Sequence, residues 1–359
     1  MKIIDLFCGC GGMGRGFLNA GFEILFANDI DENCELTYKK NHPNILFKRC
    51  SIVDINFSEY DVDGIIGGPP CQGFSVAGNR DKNDERNSMI NEFVKAINII
   101  SPKFFLMENV RGISSLGTYL KDAKTILSSD YNIVEGILNS ADFCVPQNRK
   151  RLFLLGFRKD LNVVPLLPLK KKRIITAWEA ISDLPQVKSG QGTEIQNYNL
   201  KSKNTYQKEM RLNSNILYNH VAMNHTSRLI ERFKVIKWGQ SLKHAPLIHS
   251  SVMRGNPKKL SKKIFSQNNY RIHPNLPAPT VAASFQSNFI HPYLNRNITA
   301  REGARLQSFP DDFIFMGKRT HMSWEKNLSQ YQQIGNAVPV RMAEAIALKI
   351  KKQLKNNNK

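Results

Sequence analysis

The sequence predicts an α/β protein with a doubly wound, mostly parallel sheet and a smaller, irregular inserted domain. Three observations support this prediction. Short apolar strands alternate with helical segments over residues 1–160, the alternation stops after Arg158, and helical spacing returns near Thr299. Alternating strands and helices favour parallel pairing. We therefore expect one domain formed by residues 1–164 and 299–359, interrupted by a second domain at 165–298.

Seven apolar runs predict the strands of the first domain. They are Ile3–Leu6, Glu23–Asn28, Ile45–Lys48, Gly64–Ile66, Phe104–Glu108, Ile133–Leu138 and Leu152–Phe157. Helices are predicted at Glu32–Lys40, with Asp31 as the N-cap, and at Met89–Ile100. In such a sheet, ligands bind at the carboxyl ends of the strands.

The second domain begins with a predicted linker that contains Pro165, Pro168 and the basic run Lys170–Arg173. The following residues are rich in Asn, Lys and Ser and show weak periodicity, which predicts an irregular structure.

Helical signals return after this region. A Thr299-x-x-Glu302 pattern predicts a capping box, and apolar residues at helical spacing follow Pro339 over Val340–Leu354. The last helix needs an apolar surface to cover. We expect that surface to be the first domain, which makes the second domain an insertion.

Composition indicates a globular protein of a reducing compartment. No apolar run approaches the ~20 residues that span a bilayer, and the start of the chain lacks the apolar core of a secretory signal. The six cysteines show neither disulfide-like nor C-x-x-C spacing. We expect a cytoplasmic protein. A metal site at Cys8 and Cys10 stays open as an alternative, although a second pair of ligands at zinc-finger spacing is absent from the sequence.

The positive charge is concentrated in one part of the sequence. Residues 1–160 contain 19 basic and 20 acidic residues, whereas residues 161–300 contain 21 basic and 5 acidic residues. A neutral segment followed by a strongly basic one favours a polyanion-binding module. Nucleic acid is the expected partner, and an anionic membrane surface is the main rival.

A glycine-rich loop follows the first predicted strand. Gly9, Gly11 and Gly14 satisfy G-x-G-x-x-G, and Asn28–Asp31 supplies carboxylates at the end of the second strand, where a ribose diol would bind. This pattern suits a nucleoside-containing cofactor. It does not distinguish a dinucleotide from S-adenosylmethionine, and a tight turn needed for packing is the structural alternative.

A thiol and a carboxylate are predicted at the same edge of the sheet. Pro69 and Pro70 restrict the approach to Cys71 at the end of one strand, and Glu108 lies at the end of a neighbouring strand. A thiol in that place is more exposed than the usual buried, inert cysteine. Together the two groups suit attack on a nitrogen heterocycle.

Six segments resemble, in the same order, the motifs of DNA cytosine-5 methyltransferases. They are the cofactor loop Asp5–Gly14, the Pro-Cys loop Gly67–Ser75, the glutamate motif Glu108–Val110, the Q-x-R-x-R motif Gln147–Arg151, the segment Arg301–Pro310 and the closing motif Gln333–Pro339. The resemblance covers about 1–158 and 297–350, and six ordered motifs are far more specific than any one of them. It implies the S-adenosylmethionine-dependent methyltransferase fold and the type of enzyme used in microbial DNA modification.

The resemblance implies a role for four residues in catalysis. Cys71 would attack C6 of a cytosine, Glu108 would bond N3 and the amino group, and Arg149 and Arg151 would hold the base and the loop. The methyl group would come from S-adenosylmethionine and pass to C5. Because neither Cys71 nor Glu108 could reach a base inside a duplex, the cytosine would flip out of the DNA.

The resemblance also implies a cofactor site and no metal. Its residues would be Phe7, Gly9, Gly12, Asp29, Asp54, Ile55, Pro69 and Asn336. Three departures from the family pattern stand out. Asp29 occupies a position that is more often Glu, Cys8 and Cys10 replace small residues, and Cys144 replaces Gly.

Region 165–298 matches the family only at Asn224–Arg228 and Pro277–Thr280, and it coincides with the family's target-recognition domain. The implied partner is double-stranded DNA, bound by a monomer associated with the nucleoid, with a cognate restriction endonuclease acting separately. Lysines would hold phosphates while polar side chains read base edges. The run Lys170–Arg173 suits a basic hinge beside DNA as well as a nuclear signal.

Three other functions are weighed against this one. A transfer RNA substrate would keep the chemistry, but the Cys-Phe-Thr signature of the RNA-acting branch is absent. A nicotinamide-dependent oxidoreductase would explain Gly9–Gly14 and leave Pro69–Ser75 unexplained. A DNA-binding regulator without catalysis would bind DNA but transfer no methyl group.

Overall fold

The computed structural model describes residues 1–70, 89–110, 118–171, 173–250, 252–253, 256–260, 267–320 and 324–356. Contacts divide the chain into two compact units. Unit 1 comprises Met1–Phe143, Arg149–Lys172 and Ala337–Lys359, and unit 2 comprises Cys144–Asn148 and Arg173–Asn336.

Unit 1 is built on a mostly parallel sheet, as the sequence predicts. Its strands within the described chain are β1 (Lys2–Leu6), β2 (Glu23–Asn28), β3 (Leu46–Lys48), β4 (Gly64–Gly67), β5 (Phe104–Val110), β6 (Tyr131–Asn139) and β7 (Lys150–Arg158), in the spatial order β3-β2-β1-β4-β5-β7-β6. Strands β1 to β5 run parallel, and β7 is antiparallel to both β5 and β6. Most residues of these five parallel strands are buried, as expected of a parallel sheet that is covered on both faces.

The helices of unit 1 follow the predicted alternation. They are α1 (Gly12–Asn19), α2 (Glu32–Asn41), α3 (Met89–Ile100), α4 (Thr118–Leu127) and α11 (Val340–Asn356). The predicted N-cap of α2 is confirmed, because Asp31 Oδ1 accepts a hydrogen bond from the Cys34 amide at 2.9 Å.

Helix α11 packs closely on α1. A Cβ atom added at Gly16 would lie 2.6 Å from the Ala343 Cβ and 2.6 Å from the Val340 carbonyl oxygen, so the two backbones meet at a glycine. Lys351 Nζ also donates to the Ala20 carbonyl at the end of α1. The first domain is therefore the surface that this helix covers.

An extended segment covers the sheet beside strand β6. The Asn132 side chain reaches the Val163 carbonyl, and a Cβ atom added at Gly136 would lie 2.5 Å from Leu167. Gln353 in α11 holds both backbone groups of Leu166. Residues 163–167 therefore pack beside β6, the last strand of the sheet.

Unit 2 contains more regular structure than the sequence suggests. Its helices are α5 (Ala177–Ile181), α6 (Thr205–Met210), α7 (Ser227–Val235), α8 (Phe285–Asn288), α9 (Ala300–Leu306) and α10 (Gln330–Asn336). Its strand pairs are β8 (Gly192–Asn197) with β9 (Ile216–Val221), β10 (Val252–Met253) with β11 (Asn256–Leu260), and β12 (Tyr270–Arg271) with β13 (Phe289–Ile290).

Buried arginines organise this unit. Arg305 donates to Asp311 and Asp183, Arg296 forms a two-pronged pair with Glu302 at 2.7 and 2.8 Å, and all of these side chains are buried. The charged hydrogen bonds offset the cost of burial.

The boundaries of the two units differ from the predicted ones. Unit 2 begins at Arg173 rather than 165, continues to Asn336 rather than 298, and includes Cys144–Asn148. Helix α9 groups with unit 2 because Arg305 binds Asp183 and because His220 contacts the Thr299 hydroxyl at 2.9 Å. The capping box predicted for α9 is confirmed at Thr299 and Glu302.

Within the described ranges, no helix combines the length and apolar character needed to cross a bilayer.

Candidate active site

The carboxyl ends of strands β1 to β5 form one edge of the sheet, and loops rich in predicted site residues follow them. Since these strands are parallel, their following loops share that edge. Phe7, Gly9 and Gly12 follow β1, Asp29 follows β2, and Pro69 follows β4.

The loop after β1 has unusual backbone geometry. Phe7 has φ +54°, Gly9 has φ +54°, and Gly11 has φ +92°. A Cβ atom at Gly11 would lie 2.9 Å from the Tyr38 ring, whereas one at Gly9 would meet nothing within 4 Å. A non-glycine residue in this region is strained, and such strain concentrates at ligand sites. The loop is thus tightly packed on one side and open at Gly9.

Asp29 joins this loop to the end of β2. Its Oδ2 accepts from the Gly9 amide at 2.9 Å and its Oδ1 accepts from the Asp31 amide at 3.0 Å. Burial raises the pKa of Asp29 despite these bonds. The side chain is half-buried and remains partly accessible.

Asp5 places a second carboxyl group near Asp29. It is fully buried at the end of β1, and a Cβ atom at Gly14 would lie 2.5 Å from its Oδ2. Burial and then the charge of Asp29 raise the pKa of Asp5 well above its usual range. In the part of the chain that the structure describes, no cationic side chain pairs with it. Two acidic groups therefore lie close together, and no described cationic side chain balances Asp5.

Two apolar side chains beside the predicted cofactor residues are exposed, which the sequence alone does not indicate. Ile30, after β2, is 73% exposed and Val53, after β3, is 57% exposed. They lie next in sequence to the predicted residues Asp29 and Asp54. Asp54 is exposed and Ile55 is buried. Only the structure shows that these two apolar side chains face solvent.

Glu108, Arg151 and Arg149 form a charged cluster at the other side of the edge. Arg151 Nε lies 3.0 Å from Glu108 Oε1, and both side chains are largely buried. Burial raises the pKa of Glu108, while the charges of Arg151 and Arg149 oppose that shift. Burial, followed by the charge of Arg151, lowers the pKa of Arg149 well below its usual range. The predicted catalytic carboxyl and arginines are thus brought together.

The segment that leads to Cys71 is held next to Glu108. The Asn109 side-chain amide donates to the Pro69 carbonyl at 3.2 Å, and a Cβ atom at Gly68 would lie 3.3 Å from Glu108 Oε2. Pro69 is buried. Cys71 itself lies in 71–88, outside the described residues. Its predicted role stays a prediction.

The remaining predicted residue, Asn336, is the last residue of α10 in unit 2 and is exposed. It is not in the unit that carries the other predicted cofactor residues.

Cys8, Cys10 and Cys144 depart from the family pattern in different ways. Burial raises the pKa of Cys10 to about 12 and that of Cys8 well above its usual range, so both are thiols at neutral pH. Across the described ranges, no group of three or more His, Cys, Asp or Glu side chains could hold a metal ion. Cys144 has φ +59°, which explains why a glycine suits this position.

Comparison with known proteins decides between the candidate families. The profile of the C-5 cytosine-specific DNA methylase family matches residues 1–352. The chain belongs to this family. It is 52% identical to the Type II methyltransferase M.DdeI of Desulfomicrobium norvegicum over all of this chain and 90% of that protein. It is 34% identical to M.MthTI of Methanothermobacter thermautotrophicus over 99% of this chain and 98% of that protein.

Solved structures of similar proteins share the fold. A candidate DNA modification methyltransferase encoded within an E. coli prophage superposes with a TM-score of 0.79 at 27% identity, covering 99% of each chain. The Entamoeba histolytica methyltransferase EhMeth superposes with a TM-score of 0.62 at 15% identity, covering 100% of this chain and 99% of that chain, which is a likeness of fold alone. These neighbours confirm the predicted fold class of this DNA methylase.

The edge of the sheet fits the cofactor that the family implies. S-adenosylmethionine carries an amino cation and a sulfonium cation, and the buried carboxyl of Asp5 close to Asp29 lacks a cationic partner among the described residues. The open space at Gly9 leaves room beside the loop. Exposed Ile30 and Val53 suit the apolar faces of adenine.

Proposed function

We propose that this member of the C-5 cytosine-specific DNA methylase family methylates a flipped cytosine in a specific duplex DNA sequence, with Cys71 as the nucleophile and S-adenosylmethionine as the methyl donor. The observation that carries the proposal is the buried cluster of Glu108 with Arg151 and Arg149, beside the segment that leads to Cys71. Its relatives among Type II methyltransferases support a role in DNA modification.

Glu108 would activate the base. Because burial raises its pKa, a larger fraction of its carboxyl groups is protonated than in water, and a protonated carboxyl can donate to N3 of cytosine. Withdrawal of electrons through N3 makes C6 more open to attack. Arg151, which holds Glu108 Oε1, would fix the direction of the carboxyl, and the charges of Arg151 and Arg149 would limit the rise in the pKa of Glu108.

Cys71 would carry the covalent step. Its thiolate forms a bond to C6, and the electron pair of the C5–C6 double bond moves to C5. S-adenosylmethionine, when bound, would supply an electrophilic methyl group to C5, and its methyl–sulfur bond would break to leave the neutral thioether S-adenosylhomocysteine. Loss of the C5 proton to a base then restores the double bond and releases the Cys71 thiolate. The order of events splits one difficult substitution into two easier steps.

The cofactor would lie along the loops after β1, β2 and β3. Asp5 and Asp29 would balance its positive charges, with Asp29 also near the ribose hydroxyls. Ile30, Val53 and Ile55 would surround the adenine, with Asp54 at its edge. Phe7, Gly9, Gly12, Pro69 and Asn336 complete the proposed set on the basis of the family resemblance.

Unit 2 would recognise the DNA sequence. The exposed basic side chains there are mostly lysines, and they include Lys188, Lys201, Lys203, Lys208, Lys234, Lys237 and Lys243. Arg271 and Arg296 are buried and bind backbone carbonyls or a carboxylate, so they cannot neutralise phosphates. We propose that the protein acts as a cytoplasmic monomer on nucleoid DNA, beside a separate restriction endonuclease.

The reaction is tested by measuring cytosine methylation in the DNA, and in the transfer RNA, of a host cell that expresses the protein. The protein is expressed in a host without cytosine methylation, and the host DNA is sequenced after bisulfite conversion. Protected cytosines confined to one sequence motif are expected. Complete conversion, with folded protein that still binds DNA, would favour a regulator without catalysis, and methylated transfer RNA would favour the RNA-acting branch.

A mechanistic test uses DNA with 5-fluorocytosine at the target. Fluorine cannot leave as a proton does, so a denaturant-resistant complex is expected, and only when S-adenosylmethionine is present. Cys71→Ser should abolish the complex and nearly all turnover, while DNA affinity stays unchanged. Cys50→Ser is the matched control, because Cys50 is a half-buried cysteine after β3. Attachment of the base to a cysteine other than Cys71 would refute the mechanism.

A further inference from the structure

Segment 144–148 is bonded to unit 2, although unit 1 flanks it on both sides in the sequence. The Asn148 amide donates to the Ala278 carbonyl at 2.8 Å, and the Ala278 amide donates to the Pro146 carbonyl at 2.9 Å. The segment thus pairs in parallel with the chain around Ala278. Unit 2 therefore determines the backbone position of residues 146–148.

The side chain of Gln147 adds a buried hydrogen-bond network. Its Nε2 donates to Gln307 Oε1 at 2.7 Å and to the Leu306 carbonyl at 3.3 Å, and its Oε1 accepts from the Val281 amide at 2.6 Å. Gln307 in turn donates to the Ile334 carbonyl at 2.7 Å. Gln147 is completely buried, so each of these bonds is costly to leave unmade.

Unit 1 resumes two residues later at Arg149. The Arg149 amide donates to Ser140 Oγ at 3.1 Å, and the Ser140 amide donates to the Arg149 carbonyl at 2.9 Å. Arg151, in the same strand β7, holds Glu108 at 3.0 Å. One residue, Asn148, separates the network of Gln147 from the first arginine of the Glu108 cluster.

We propose that Gln147 is a positioning residue through which unit 2 sets the start of strand β7 and so holds Arg149 and Arg151 at Glu108. The inference rests on the proposed function of the Glu108 cluster and assigns Gln147 no contact with the reacting atoms. If only the bonds to Ser140 held the start of β7, Arg149 and Arg151 could shift relative to Glu108. A displacement of about 1 Å at a reacting group can cost about a hundredfold in rate.

The test compares Gln147→Met with Gln207→Met in the full-length protein. Gln207 is a matched control because it is also completely buried in unit 2. Its Nε2 donates to the Glu179 carbonyl at 2.7 Å and to Ser182 Oγ at 2.8 Å, and its Oε1 accepts from the Lys203 amide at 2.6 Å. Both substitutions therefore remove at least two donated bonds and one accepted bond of a buried side-chain amide.

Gln147→Met is expected to lower kcat about tenfold to a hundredfold while KM for DNA and for S-adenosylmethionine stays within about twofold. Amide hydrogen exchange at residues 149–151 should become faster. Gln207→Met should lower the Tm comparably but leave kcat and that exchange unchanged. Equal losses of kcat in the two variants, or a loss of Tm alone in Gln147→Met, would overturn the proposal.

Gln307→Met is the second variant, because it removes the acceptor of one Gln147 bond and leaves the other two described bonds of the Gln147 side chain in place, although it also removes the bond from Gln307 to the Ile334 carbonyl. It should change kcat and the exchange of residues 149–151 in the same direction by a smaller factor, and unchanged values would overturn the proposal. The exchange measurement needs no substrate. If the protein transferred no methyl group, the proposed function would fail while the exchange result would still show whether Gln147 holds β7.

Discussion

Cys144 adopts a backbone conformation that favours glycine, with φ +59°. Cys144→Gly is expected to raise the free energy of unfolding by about 0.5–1 kcal/mol. Relief of about 1–2 kcal/mol of strain exceeds the greater entropy of an unfolded glycine, about 0.5–1 kcal/mol. The glycine variant loses the weak contact from Sγ to the Arg173 carbonyl at 3.5 Å, which is too long to offset this gain. Urea denaturation measures the change, with the β-branched Cys144→Val as the contrasting, destabilised variant. A less stable glycine variant would contradict the prediction.

The ionised carboxyl of Asp5 is expected to lower the free energy of unfolding of the protein without ligand and to favour cofactor binding. Its pKa is raised in the folded protein by burial and by Asp29, so its contribution to stability is full below the unfolded pKa and is lost as the pH rises towards the folded pKa. At neutral pH, Asp5→Asn should therefore increase the Tm of the protein without ligand.

The same substitution should weaken binding of S-adenosylmethionine in isothermal titration calorimetry. In the unsubstituted protein that affinity should fall as the pH falls into the range of the raised carboxyl pKa values, since a protonated carboxyl does not balance a cation. S-adenosylhomocysteine lacks the sulfonium charge and should show a smaller change. Unchanged affinity in Asp5→Asn would argue against a cationic ligand beside this group.

At the scale of single elements, the N-terminus of α9 depends on one buried ion pair. Glu302 accepts two hydrogen bonds from Arg296 and one from the Thr299 amide, and Arg296 holds the pKa of Glu302 well below its usual range against the effect of burial. Glu302→Gln should lower the free energy of unfolding by about 3–5 kcal/mol, because it leaves the Arg296 charge buried and unbalanced.

The control for this prediction is Glu231→Gln in α7. Glu231 lies 2.7 Å from Lys234, but both side chains are more than half exposed, so the expected loss is below about 1 kcal/mol. Both variants are compared by urea denaturation. Similar losses in the two variants would show that the burial of the Glu302 pair has no energetic importance.

The elements of unit 1 could be predicted from local sequence because its strands are short apolar runs. Strand β2 and helix α3 have the predicted bounds, and the other strands differ by one or two residues at their ends. Unit 2 was harder to predict. Thr176 forms a capping box with Glu179 and Thr226 caps α7, but both residues lie within polar sequence, where threonine does not by itself mark the start of a helix.

The positions of the arginines could not be predicted either. By composition, Arg271, Arg296, Arg301 and Arg305 add to the basic character of the sequence, yet the structure buries all four. Some of their partners are distant in sequence, as with Arg305 and Asp183, and the near partners of Arg296 and Arg305 follow no simple helical spacing. The cluster at Glu108 was predictable from motifs, whereas exposed Ile30 and Val53 depend on tertiary structure.

At the scale of the whole molecule, exposed lysines should determine how DNA binding responds to salt. Each phosphate contact releases about 0.9 counterion, so affinity should fall steeply with salt. Replacing exposed Lys170, Lys171 and Arg173 by Gln should reduce the slope of log K against log salt by about 2–3 and leave the methylated sequence unchanged.

The matched control replaces Lys39 and Lys95, which are exposed in unit 1 and paired with Glu35 and Glu92. Their substitution should not change the slope of log K against log salt, with K measured by fluorescence anisotropy of labelled DNA. An affinity that is independent of salt would refute the electrostatic account. A changed methylation site would show that the basic run reads bases.

The packing of α11 on α1 has a consequence for synthesis on the ribosome. Gly16 and Ala343 touch, but the whole of unit 2 lies between them in the sequence. Unit 1 stays incomplete until α11 has left the ribosome, because α11 is translated after Asn336, the last residue of unit 2. Domains generally fold as units during translation, and exposed apolar surface invites aggregation. The unit that is translated first is therefore completed last, and nascent chains should depend on chaperones chiefly through the uncovered face of α1.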